Sequence, residues 1–171
     1  MVMRRVVPNG ATGRYQLTPL ALVDAKWFDR GKSGDLVPTE RAEAFGVRSL
    51  EDLRRNAPAQ EEAMRDFSRR NEEQATGEKL WDHLGRVYQG RKEQIVVTPA
   101  GIAAAAHRWG VPATRKYFEK LAAGGWDSKS ANLDDKDLAV ETRLREFQAV
   151  PYTPFTQNVR ERLRTDPENE R

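Results

Sequence analysis

Apolar residues along this chain recur at three- and four-residue intervals, and over no stretch of strand length do they alternate cleanly with polar ones. That period predicts a mostly α protein. Thr18-Pro19 can cap and start a helix, the threonine supplying a side-chain oxygen and the proline a preset φ where no backbone donor is needed. A helix over 20–28 follows. Gly31 and Gly34 break it, and 31–47 reads as loop with a short helix around 40–45. Ser49 caps a helix over 49–56 whose two early acids suit the positive helix end. Pro58 opens the next, with Ala63, Met64 and Phe67 on one face. After an interruption near Gly77, Leu80, Trp81, Leu84, Val87 and Tyr88 keep the helical spacing. Thr98-Pro99 repeats the earlier cap before an alanine-rich helix over 100–109, whose small side chains let other helices come close. Pro112 starts a helix through Tyr117, Phe118 and Leu121 that stops at Gly124-Gly125. A last strong helix runs from Leu133 through Leu144 to Phe147, and Pro151 and Pro154 end it.

Composition adds limits to that picture. A chain of 171 residues suits one main hydrophobic core, here 1–155, followed by a charged tail over 156–171 that stays mobile unless a partner holds it. Hydrophobic residues make up 38% and charged ones 32%, with a mean hydropathy of −0.80, which permits a core under a heavily charged surface. The net charge of +3 balances 29 basic against 26 acidic residues. The basic pairs Arg4-Arg5, Arg54-Arg55 and Arg69-Arg70 are interrupted by acids, which argues against a nucleic-acid stripe. Cysteine is absent, so disulfides, thiolate metal sites and cysteine nucleophiles are excluded. With only His83 and His107, histidine spacing builds no zinc site. No phosphate loop, nucleophile elbow or zinc-protease helix occurs, and no metal or organic cofactor is implied. Residues 1–7 lack the apolar run of a secretory signal, and no segment reaches the ~20 apolar residues of a membrane span.

The informative segment is Pro8-Asn9-Gly10-Ala11-Thr12-Gly13-Arg14-Tyr15-Gln16-Leu17-Thr18-Pro19. On residue chemistry alone it is a glycine-rich turn before a capped helix. It also resembles the Gly-x-x-Gly-x-x-Gln-x-x-Pro signature of soluble lytic transglycosylases and related phage muramidases. A second stretch, Ile102-Ala-Ala-Ala-Ala-His107-Arg108-Trp109-Gly110, resembles their Ala-Tyr-Asn-Ala-Gly helix. His107 stands there for tyrosine and Arg108 for asparagine, as suits the phage-type branch with its Ala-Ala-Ala-His run. Together the resemblance covers 6–147. It implies a lysozyme-like helical domain with a glycan-binding groove, in which Gly13, Tyr15, Gln16, His107, Arg108 and Trp109 bind substrate. Read without it, His107 is a packed or surface histidine, and the four tryptophans belong mostly to the core.

Glycan cleavage in such a domain needs a carboxylic acid whose pKa is raised so that it donates a proton near neutrality. Between Met1 and Gln16 there is no acid, and aligning on Gly13 and Gln16 puts the family's glutamate just upstream of Met1. Three readings remain open: the acid lies in residues preceding this chain, it has moved, or the domain is kept for binding. Relocated candidates are Glu40, Glu43 and Asp24, each of which is a solvated surface charge on ordinary grounds. The resemblance therefore implies peptidoglycan glycan strands as the ligand, with muramidase or lytic-transglycosylase cleavage if an acid is supplied. The alternative is a catalytically inactive module docking in a virion or envelope assembly, with phage structural proteins as partners. The expected location is a virion or the bacterial cell envelope or periplasm, reached without a signal peptide of its own; failing that, the cytoplasm.

Overall fold

The computed structural model describes residues 14–165, and these are mostly helical. The chain divides into two compact units, Met1–Arg70 and Asn71–Arg171, and each has its own apolar core.

In the first unit, α1 (Pro19–Asp24) starts where expected: the Thr18 hydroxyl accepts from the Ala21 amide and proline occupies the first turn. The helix is shorter than 20–28, because Lys26 turns to φ 62° and Trp27 leads into β1 (Phe28–Arg30). β1 pairs antiparallel with β2 (Leu36–Pro38), Asp29 facing Val37. The glycine-bearing stretch predicted as loop is thus the turn of a hairpin. Then come α2 (Glu40–Ala44), capped by Thr39, and α3 (Leu50–Arg55), capped by Ser49. Trp27, Phe28, Leu22, Val47, Leu53 and Ala63 are buried among one another. Helix α4 (Ala57–Gly77) begins under the Asn56 side chain, whose Oδ1 accepts from the Ala59 amide at 3.0 Å.

In the second unit the spacing of Leu80, Trp81, Leu84, Val87 and Tyr88 does not form a helix. Leu80–His83 is a short 3-10 turn, Gly85 reverses the chain at φ 81°, and β3 (Val87–Gln89) pairs with β4 (Gln94–Val96). Tyr88 and Ile95 face each other and are buried, whereas Val87 and Val96 are exposed. Helices α5 (Pro99–Trp109), α6 (Val111–Ala123) and α7 (Asp135–Glu146) pack on one another. The alanines make this close: Ala104, Ala105 and Ala106 are buried, and a Cβ at Gly101 would lie 3.2 Å from the Leu144 carbonyl oxygen.

The residues from 156 onward, expected to be a charged tail, form α8 (Gln157–Arg164) over most of their described length. Charge gave the wrong expectation there because the anchor is remote in sequence. Val159 is buried, Leu163 packs on the core, and the Glu72 carboxylate accepts from the Phe155 amide at 3.0 Å and the Thr156 amide at 2.8 Å. The hydroxyls of Tyr152 and Thr156 complete its set of donors.

Candidate functional site

Gly10 and Gly13 lie outside the described residues, so the glycan-type motif enters the structure at Arg14. Residues 14–16 form a turn in which Gln16 takes φ 52°. That left-handed backbone costs a non-glycine residue of order 1 kcal/mol and needs local support to persist. Support comes from both sides of the turn. Leu17 is buried at 3% exposure and Tyr15 packs against the core, so the neighbours of Gln16 turn inward while Gln16 itself is exposed. Gln60, at 7% exposure, accepts from the Arg14 amide at 2.6 Å. Its own amide group donates to the carbonyls of Leu53 and Arg54 at 2.9 and 3.1 Å. One buried side chain thereby fixes the turn to the end of α3. The Arg14 guanidinium lies 5.7 Å from the Tyr15 ring centroid.

The second motif covers most of α5 in the second unit, with His107, Arg108 and Trp109 in the last turn. His107 is half-buried, and its pKa is pushed below the usual histidine value, first by burial and then by the Arg143 and Arg108 guanidiniums. At neutral pH its imidazole is uncharged, able to donate at one nitrogen and accept at the other. Arg108 is exposed with its guanidinium 4.7 Å from the Trp109 ring centroid. Trp109 is half-buried against the core, and its Nε1 is shut from solvent with no acceptor among the described residues. Tyr15 and Gln16 thus belong to one unit and His107, Arg108 and Trp109 to the other.

None of the relocated acids has the surroundings of a proton donor. Glu40 and Glu43 are exposed in the first turn of α2, with no apolar pocket around them. Asp24 ends α1 half-exposed. The buried carboxylates are others, and the sequence reading missed them. Glu72 and Glu141 are 2% and 1% exposed. Glu141 accepts from the Tyr117 hydroxyl at 2.8 Å and from the Arg91 amide at 2.9 Å. Tyr88 lies 2.8 Å from the Tyr117 hydroxyl, extending the chain. Burial raises the pKa of both phenols. A signal existed: Asp137, Val140, Glu141 and Leu144 share the inward stripe of α7, so two acids stand where periodicity calls for apolar residues.

Among the described residues no three histidine, aspartate or glutamate side chains are placed to hold a metal ion, and no helix is long and apolar enough to cross a membrane. No family model, curated protein or solved structure matches the chain.

Proposed function

We propose that this chain is a lysozyme-like module that binds peptidoglycan glycan strands. The observation that carries the reading is Gln16, the motif glutamine, exposed on a left-handed backbone that Gln60 and the inward-turned Tyr15 and Leu17 hold in place. A primary amide carries both a donor and an acceptor, the pairing that a sugar hydroxyl or acetamido group calls for, and the backbone beneath it is already ordered. Tyr15 presents an apolar ring and a hydroxyl beside it. His107, neutral at physiological pH, together with Arg108 and Trp109, would supply the second set of contacts that the resemblance implies.

The same reading limits the chemistry. A glycoside-cleaving acid must keep its proton near pH 7, which calls for an apolar pocket. The exposed acids of the first unit lack one. Glu72 and Glu141 are buried but already engaged by donors of this chain, Glu72 by Tyr152, Phe155 and Thr156 and Glu141 by Tyr117 and Arg91. Binding is therefore assigned to these residues, and cleavage is assigned to none of them. That saturation also favours the second reading, an inactive module docked in a virion or envelope assembly, over a relocated catalytic acid.

Co-sedimentation with purified cell-wall sacculi tests the proposal. Gln16→Gly is the informative variant, because glycine accepts φ 52° more easily than glutamine and the change removes an exposed side chain without straining the turn. Binding should weaken about tenfold, near 1.4 kcal/mol, with the thermal midpoint unchanged or raised. Unchanged binding in Gln16→Gly overturns the assignment. A fall in sacculus turbidity would add cleavage and remove the inactive reading.

A further inference from the structure

The second unit carries a cleft of about 450 Å³ between the 3-10 turn Leu80–His83 and one face of α6, a size within the range of small-ligand sites. None of its lining residues belongs to either of the two motifs. The α6 wall follows the helical period, with Arg115, Phe118, Glu119 and Ala122 all turned the same way. Leu80 and Phe118 form the floor, 1% and 2% exposed, and the half-buried His83 ring is stacked on Phe118 with centroids 4.4 Å apart. Trp126 lies 5.5 Å from the same imidazole.

The rim is charged but balanced. Arg115 sits between two glutamates, 3.2 Å from Glu78 and 2.7 Å from Glu119. Asp82 is held by Arg162 at 2.6 Å, and Lys79 supplies a further cation. Three carboxylates thus meet three cations. Burial and the nearby Arg86 push the His83 pKa down, so the imidazole adds no charge at neutral pH. A rim of this kind has no net field to concentrate phosphate or a metal ion. It offers acceptors on Glu78 and Glu119 alternating with donors on Arg115, above an aromatic floor. Arg115 keeps 36% of its side chain exposed, although its Nε is shut from solvent beside Glu78 without an aligned hydrogen bond. The complement of such a surface is a neutral ring with hydroxyls around its edge and C–H bonds on its face.

We propose that this cleft is a second saccharide site, taking a neutral pyranose ring beside the half-buried His83 with its hydroxyls on Glu78, Arg115 and Glu119. The site extends the glycan reading to another part of the chain, and its test can fail while that of Gln16 succeeds, or the reverse. The experiment is an NMR titration of the full chain with tri-N-acetylchitotriose, reading the His83 ring protons and the Trp126 indole. Inorganic phosphate serves as the ionic probe. Saturable movement of both residues by the trisaccharide and not by phosphate is expected. Glu119→Gln, an exposed change that leaves the floor intact, and Arg115→Gln should each weaken it about fivefold or more, whereas Gln16→Gly should leave it unaltered. The proposal is overturned if the trisaccharide produces no saturable shift, if phosphate produces the same one, or if Glu119→Gln binds like the parent chain.

Discussion

Asp66 in the first unit and Glu141 in the second are both carboxylates set against an aromatic ring, and the chain treats them in opposite ways. Asp66 accepts from the Trp27 indole at 2.8 Å and pairs with Arg41 at 3.0 Å, its own side chain 13% exposed and that of Arg41 44%. Asp66 and Glu62 hold the Arg41 guanidinium above its ordinary pKa, the Asp66 hydrogen bond most of all. Glu141 has no cation in ion-pair range among the described residues. It is 1% exposed and lives on hydrogen bonds from a phenol and a backbone amide. A carboxylate in partial reach of water and paired with an exposed cation is desolvated only in part, whereas a fully buried one without a cation must be met donor by donor. The first unit packs around Trp27 and Phe28 with Gln60 tying down its turn, and the second buries Glu72 and Glu141, each met by several donors.

Removing each carboxylate should expose that difference. Glu141→Ala leaves the Tyr117 hydroxyl and the Arg91 amide without an acceptor and opens a cavity, so we expect a loss of about 3 kcal/mol in urea unfolding. Glu141→Gln, which keeps an acceptor, should recover more than half of it. Asp66→Asn keeps an acceptor for the Trp27 indole and gives up only a half-exposed ion pair, an expected cost of about 1 kcal/mol or less. Equal losses for Glu141→Ala and Asp66→Asn would break the contrast.

The smallest effect is one of pH. Both histidines of the chain, His83 and His107, lie in the second unit, and both have folded-state pKa values below the ordinary one. Their neutral forms are favoured in the folded protein, so the unfolded chain binds protons first as pH falls below about 6.5. The stability present above that pH is lost progressively toward the folded-state values. Urea midpoints at pH 7.5 and 5.0 should fall in that order, and His107→Gln should flatten the slope more than His83→Gln, because His107 is the more buried of the two. An unchanged slope in His107→Gln would show that its desolvation is relieved in solution.

What the sequence made legible was local. The starts of α1, α3, α5 and α7 follow from Thr18, Ser49, Thr98 and Asp134, whose side chains cap amides three residues on. The three-residue strands were illegible because they are too short for an alternating pattern, and their pairing joins segments whose turns, not their own residues, decide the register. Helix α8 was misread for a related reason: its partner Glu72 stands more than 80 residues away. At the candidate site the motif located Gln16 and His107, but not Gln60, which holds the turn from 46 residues downstream of Arg14. The cleft beside His83 left no motif at all, since its residues come from two separated segments.

The Glu72 clamp sets a rule for dissecting the chain. Its carboxylate receives every described donor from residues 152–156, so a fragment ending before Tyr152 would keep a buried anion and remove all of its partners at once. A terminal deletion that looks conservative in sequence would then behave like a core mutation. Fragments of the second unit should therefore carry α8 through Val159, which is buried in the core and donates its amide to the Thr156 hydroxyl.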